Sequence, residues 1–287
     1  SPDTGVGFGF AVGKRRGLNS STSDTYDGLV ISDPGYGANN GRAYVYQGSL
    51  RGLVATPIQT LVPRDAASLF GYSVVEANDI NKDGFLDLAI SSGGGANPGV
   101  TIFYGAKVGG VNAYFGAGAI NSTAFWAAPA IVTNAQHISA TAPRPQVILP
   151  TTYNTGDMVG RGLASVGDFN QDGFADVAIN VANGDYTVSG TIAETGYVLI
   201  YFGSAVGLQT WGTIASPYPK CYGGVTPACE PFQVYLPDST AYEFTAAGID
   251  SSGDINGDGL PDLLIGGFGR SHPSGKAVSS GVIYVLY

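Results

Sequence analysis

Histidine and cysteine are nearly missing from this chain of 287 residues, which has two of each and a single Met. With only His137 and His272 to draw on, and with no GxSxG, HExxH or phosphate-cradling P-loop, nothing assembles a catalytic site, so an enzyme is not expected. Charged residues are also scarce, at 12% of the chain. The one basic cluster, Lys14-Arg15-Arg16, is too small to track a phosphate backbone, which argues against a nucleic-acid partner. No apolar run is long enough to cross a membrane as a helix. The two cysteines, Cys221 and Cys229, bracket a short loop where a disulfide is plausible, and a bridge there would point to an oxidising compartment. The chain begins at Ser1 without Met, as expected of a processed protein or one cut from a longer chain.

What the chain has in quantity is glycine (44), proline (16) and tyrosine (17). Short runs of Val, Ile, Leu, Tyr and Phe lie between the Gly and Pro, and helix-period patterns are hard to find. The expectation is an all-β protein of many short strands.

Three acidic loops stand out against this background. They read Asp79-Ile-Asn81-Lys-Asp83-Gly84-Phe85-Leu-Asp87, Asp168-Phe-Asn170-Gln-Asp172-Gly173-Phe174-Ala-Asp176 and Asp254-Ile-Asn256-Gly-Asp258-Gly259-Leu260-Pro-Asp262. Oxygen-bearing side chains at alternate positions, followed by a Gly that permits a sharp turn, are what a hard cation needs to surround itself with oxygen. The assigned ligands are the side chains at positions one, three, five and nine and the backbone carbonyl at seven (Phe85, Phe174, Leu260). Three Ca²⁺ sites are predicted, with Mg²⁺ disfavoured because it keeps its waters. Turn chemistry alone would explain Asp, Asn and Gly in a hairpin, but not the ninth-position Asp that each time opens an apolar run. Nine of the 22 acidic residues lie in these loops, so three bound divalent cations would bring the net charge from −9 to about −3.

The loops belong to a larger repeat. A strand beginning Phe70-Gly71 or Val159-Gly160, or the segment from Phe244, precedes each loop (strand A). A run such as Leu88-Ala-Ile90, Val177-Ala-Ile179 or Leu263-Leu-Ile265 follows it (B), and then an aromatic strand such as Val100–Tyr104, Tyr197–Phe202 or Val282–Tyr287 (C). A first copy, Phe8-Gly9 to Gly48, has lost its acidic loop; the matching segment carries Lys14, Arg15 and Arg16, and no metal is expected there. Runs bounded by proline, Pro57–Pro63, Pro145–Pro150 and Pro231–Pro237, read as outer strands (D), where a missing N–H is tolerated.

Four antiparallel strands per repeat describe a propeller blade. The expected boundaries are about 5–63, 68–150, 157–237 and 242–287 within one domain, with long C–D insertions in blades 2 and 3. No D strand is visible for blade 4, so its edge is a candidate for pairing with a neighbouring domain or another chain.

The order Phe-Gly, DxNxDGxxD, Leu/Val-Ile run and Tyr-Val-Tyr resembles the FG-GAP repeat. That repeat builds the β-propeller of integrin alpha subunits and of many bacterial surface and secreted proteins. The resemblance covers nearly the whole chain outside the two insertions. It implies that the acidic loops join strands A and B and bind Ca²⁺, and that the protein is an extracellular, secreted or cell-surface module. Four repeats rather than seven, the lost loop in repeat 1 and the missing Phe-Gly pair in repeats 3 and 4 depart from the integrin pattern.

The metal reads as structural, so recognition is expected elsewhere. The B–C loops of the opposite face carry Tyr36, Asn39, Asn40 and Arg42, then Asn97, then Asp185 and Tyr186, then Arg270 and His272. Such residues on loops suit a protein or carbohydrate ligand on a cell surface. The competing reading is a structural or assembly module of a larger surface protein or fibre; a polysaccharide-acting enzyme comes last.

Overall fold

The computed structural model describes residues 7–16, 26–63, 68–93, 99–108, 111–114, 146–148, 159–182, 186–187, 191–192, 196–205, 207–208, 232–234, 248–267 and 281–287. Described residues form four antiparallel sheets, taken up one after another along the chain. Sheet 1 holds β1 (Val12–Arg15), β2 (Gly28–Asp33) and β3 (Arg42–Tyr46). A small hairpin of β4 (Gly48–Ser49) and β5 (Gly52–Leu53) precedes its outer strand β6 (Gln59–Leu61). Sheet 2 repeats this with β7 (Phe70–Asn78), β8 (Asp87–Ser92) and β9 (Gly99–Phe103), a hairpin of β10 (Gly105–Val108) and β11 (Val111–Tyr114), and β12 (Gln146–Ile148). Sheet 3 is β13 (Val159–Gly167), β14 (Asp176–Val181), a hairpin of β15 (Tyr186–Thr187) and β16 (Thr191–Ile192), β17 (Tyr197–Tyr201) and β18 (Phe232–Val234). Sheet 4 is β19 (Gly248–Gly253), β20 (Asp262–Gly267) and β21 (Val282–Leu286). One four-residue helical turn, Tyr36–Asn39, is broken by left-handed Gly37 and Ala38.

The strands anticipated as A, B and C, and D in sheets 1 to 3, appear in that order, but β1 takes in only the end of the first expected run, residues 8–12, and of the segment from Phe244, residues 244–247 lie outside the described residues. The three proline-bounded runs are the outer strands β6, β12 and β18, each shorter than the run that announced it. One expectation changes: Lys14 and Arg15 are not loop residues but lie in β1, opposite Leu29 and Gly28.

The two middle strands of sheets 2 and 3 are buried on both faces. Every residue of β8, β9, β14 and β17 is buried, so these strands read as continuous apolar runs rather than alternating ones. One cluster, including Val45, Phe70, Ile90, Phe103 and Leu163, runs through sheets 1 to 3. A second, including Val166, Ile200 and Leu263, joins sheet 3 to sheet 4.

The Phe-Gly pair has a physical reason. A Cβ on Gly71 would lie 2.7 Å from the Cβ of Ser32 in sheet 1, and a Cβ on Gly160 would lie 2.8 Å from that of Ser91 in sheet 2. Both glycines also hold left-handed φ, +94° and +74°. The serine works in two directions, because its hydroxyl also accepts from the first strand of its own sheet, at the bulge of β7 for Ser91 and just before β1 for Ser32. Ser32 Oγ accepts from Ala11 N at 2.9 Å and Ser91 Oγ from Ser73 N at 2.9 Å; in sheet 3 Asn180 Oδ1 accepts from Gly162 N at 2.7 Å. Gly71→Ala or Gly160→Ala therefore combines left-handed strain with overpacking and should cost about 2–4 kcal/mol. Gly9→Ala meets open space and should cost about 1–2 kcal/mol from strain alone. Urea unfolding of the three variants measures the difference.

Candidate metal centres and the opposite loop face

Each acidic loop joins the first strand of its sheet to the second, and the three have one backbone. The fourth position is left-handed in all of them (Lys82 +59°, Gln171 +62°, Gly257 +80°), and so is the glycine at the sixth (+91°, +92°, +89°). Side chains hold this shape. Asp79 Oδ1 and Oδ2 accept from Asp83 N (3.1 Å) and Gly84 N (2.9 Å), and Asp83 Oδ1 accepts from Phe85 N (2.9 Å). The same bonds recur from Asp168 and Asp172, and from Asp254 and Asp258. In each loop the Asn amide donates to the fifth-position carboxylate at 2.9 Å.

The ninth-position aspartates sit deeper: Asp87, Asp176 and Asp262 are fully buried. Asp87 Oδ2 accepts from Ile80 N and Oδ1 from Gly105 N, both at 2.8 Å. Asp176 Oδ2 accepts from Phe169 N (2.8 Å) and Asn170 N (3.3 Å), and Oδ1 from Gly203 N (2.8 Å). Asp262 Oδ2 accepts from Ile255 N and Asn256 N, but its buried Oδ1 has no partner. Opposite Asp262 stands Tyr287, the last residue of the sequence; Gly105 and Gly203 directly follow the matching Tyr104 and Phe202. Asp87 and Asp176 thus tie the loop to the end of the third strand, a role that the DxNxDGxxD pattern alone does not reveal.

Burial pushes the Asp87 carboxyl well above its ordinary value, against the pull of the Gly105 and Ile80 N–H groups. It pushes Asp176 up to about 7, opposed by the three backbone donors. Asp83 is also raised, by burial first; Asn81 and the Phe85 N–H oppose this, and the charge of Asp79 adds to it. A carboxyl whose folded pKa lies above its unfolded one holds a proton in the folded state that the unfolded chain has released. Metal-free protein should therefore lose stability as pH rises from about 4 to about 7. Urea midpoints across this range check the sign.

All the loop donors are hard oxygens, suited to Ca²⁺ rather than to a soft metal. As the loops stand, no group of three carboxylates among the described residues is gathered around one point. Lone pairs not used by the N–H groups remain for a cation. Side chains of Asp79, Asn81 and Asp83, with their counterparts in the other two loops, would hold the ion, and the ninth Asp would anchor the loop under it. The ion would supply positive charge to offset carboxylate repulsion.

Neighbouring loops are wedged together. The Lys82 ammonium sits 5.5 Å from the centroid of the Phe174 ring, and Ala175 N donates to Asp79 O at 3.4 Å. Sheet 1 has Gly28 where the others have the ninth Asp, and the fully buried Arg15 guanidinium is beside it, with Nη1 3.3 Å from where a Gly28 Cβ would lie. Arg16 bonds to Glu76 and Asn78 of sheet 2, and Asn78 Nδ2 donates to Ser165 of sheet 3 at 2.6 Å.

At the opposite end of the sheets the structure brings together four of the anticipated recognition residues. Arg42 stacks on the Tyr36 ring, and Asn39 and Asn40 are in the same turn. The two Asn carbonyls pin sheet 2: Asn39 O accepts from Leu69 N, and Asn40 O from Phe70 N and Ser68 Oγ. Tyr186 is in β15, opposite Ile192. Asn97, Asp185, Arg270 and His272, the pair Cys221 and Cys229, and most of the two insertions lie outside the described residues. Sequence reasoning missed Phe10, Tyr72 and Arg161. Each immediately follows the Gly of a Phe-Gly or Val-Gly pair, and that shared position was the available signal.

The FG-GAP repeat model matches residues 160–201 and 249–286, which run through sheets 3 and 4. The chain is 26% identical to integrin alpha-5 of Xenopus laevis over 267 residues, 93% of this chain and 20% of that protein. It is 28% identical to integrin alpha-8 of Homo sapiens over 276 residues, again 93% of this chain and 20% of the relative. It is 25% identical to integrin alpha-PS5 of Drosophila melanogaster over 248 residues, 86% of this chain and 19% of the relative. The chain thus spans about a fifth of the length of the curated relatives it matches. An all-β chain built from repeated sheets, with FG-GAP repeats and this likeness along most of its length, is of the integrin-alpha-like FG-GAP type.

Proposed function

We propose that the chain is a Ca²⁺-stabilised recognition or adhesion module, acting outside the cell or at its surface and binding a protein or glycan ligand. Its four sheets are read as four propeller blades, with three cations at the acidic loops. The observation that carries this reading is the division of labour between the two ends of the sheets. One end holds three loops of identical backbone and acidic chemistry, which suits a scaffold. The other gathers aromatic and arginine side chains on connections and the strands that adjoin them, which suits recognition. The likeness to integrin alpha subunits supports adhesion rather than catalysis. Solid-phase binding to arrays of matrix proteins and glycans, with Ca²⁺ and with chelator, tests the reading. Ca²⁺-dependent binding to a defined feature is expected, and turnover of a polysaccharide without stable binding would sink it.

The structural-module reading keeps one observation in its favour. Strand β21 is an edge among the described residues, and Ile283 on it is 73% exposed. A strict monomer in light scattering would count against assembly through that edge.

A further inference from the structure

The end of the sheets opposite the acidic loops carries a continuous strip of rings and guanidinium groups. Its first half is on sheet 1. Arg42 lies over Tyr36 and donates from Nη1 to the Tyr44 hydroxyl at 3.3 Å, and Tyr44 packs edge-on against Phe8, with centroids 5.8 Å apart. The second half crosses sheets 1, 2 and 3. Phe10 packs on Tyr72 with centroids 5.0 Å apart, and Arg161 donates from Nε to the Tyr72 hydroxyl at 3.1 Å with its guanidinium 5.7 Å from that ring. Phe8 and Phe10, two residues apart on one segment, connect the halves.

Two features separate this strip from ordinary packing. Phe8 is 46% and Phe10 54% exposed, and Arg161 is exposed too, although rings in such contacts usually finish buried. In a chain of net charge −9, the strip carries two cations, while the one described carboxylate at this end, Asp33, is fully buried. The Tyr hydroxyls hold both guanidinium groups in place, and Arg161 keeps its terminal N–H fork for a ligand.

We propose that this strip binds an acidic polysaccharide whose units carry a carboxylate on the sugar ring, a hexuronate chain. The inference rests on the recognition reading above and names its ligand class. Each hexuronate unit offers an apolar ring face to stack on Phe10 or Phe8 and a carboxylate to pair with Arg161 or Arg42. A linear chain repeats that pairing along the strip. An acidic peptide offers carboxylates without a stacking face. A nucleic acid offers bases and phosphates, and the oligonucleotide arm of the titration separates it from a uronate.

The test is calorimetric titration of the Ca²⁺-loaded protein with a short oligogalacturonate, its methyl ester, polyglutamate and a single-stranded oligonucleotide. An array of matrix proteins and glycans is probed in parallel. The free uronate should bind, and the ester at least about tenfold more weakly. Arg161→Gln and Phe10→Ala should each weaken uronate binding about tenfold or more, with thermal unfolding confirming that the variants fold. Uronate binding no stronger than that of the ester, polyglutamate or oligonucleotide overturns the proposal. Array binding that survives both substitutions overturns this site and leaves the recognition reading standing, whereas wild-type protein that binds nothing on the array overturns both.

Discussion

Chelation should lower the melting temperature of this protein by roughly 10 °C or more. A ligand held at a hundred times its Kd stabilises the folded state by about 2.7 kcal/mol per site, and the sequence holds three loops of one pattern. In a domain of this size each kcal/mol moves the midpoint by about 2–4 °C, so even partial occupancy gives a large shift. The direction follows from the electrostatics of the loops. Asp79 and Asp83 repel each other within one turn, and a divalent cation converts that repulsion into attraction. The loops are also wedged against their neighbours through Lys82 and Phe174, so the effect should spread beyond one sheet and keep the transition cooperative. Differential scanning calorimetry with saturating Ca²⁺ and with chelator measures it. An unchanged melt would remove the structural role of the metal.

A second large effect is expected where metal is absent altogether. Asp87→Ala and Asp176→Ala should each lower stability by about 3–5 kcal/mol in metal-free protein. Both carboxylates are buried, and each accepts backbone N–H groups from its own loop and from the residues that follow the third strand. Removing the acceptor strands those donors in a dry site, at about 1–3 kcal/mol for each buried group left unsatisfied. Asp79→Ala should cost far less without metal, because its partners Asp83 N and Gly84 N are in exposed positions and can turn to water. Adding Ca²⁺ should widen the gap between wild type and Asp79→Ala. Urea unfolding of the three variants with and without Ca²⁺ separates the anchor from the ligand. Equal losses for Asp79→Ala and Asp87→Ala in metal-free protein would show that the ninth position has no separate role.

Most of the strand order was legible because each element carries its own chemical label. Phe-Gly marks the first strand, the acidic loop announces the second, aromatic alternation the third, and flanking prolines the fourth. The reason for the Phe-Gly pair was not legible, since it depends on Ser32 and Ser91 in the preceding sheet, far away in sequence. For the same reason the anchoring role of the ninth Asp was not legible. Its partners Gly105 and Gly203 are 18 and 27 residues distant, and only the folded register brings them under it. The small hairpins β4–β5, β10–β11 and β15–β16 went unseen because strands of two to four residues leave no periodic signal. Of the recognition residues, Tyr36 and Arg42 were visible as polar loop chemistry. Phe10, Tyr72 and Arg161 were not, because each read as part of a strand and only the packing of three sheets lines them up.

The central claim is that the three DxNxDGxxD loops are calcium sites, and counting bound ions tests it most directly. Equilibrium dialysis of metal-free protein against Ca²⁺ should find three ions per chain. Asp79→Ala should lower that number by one, and Asp168→Ala and Asp254→Ala should do the same at their own loops. A chain that binds no Ca²⁺ at millimolar concentration, or binds it equally well without these aspartates, would contradict the account.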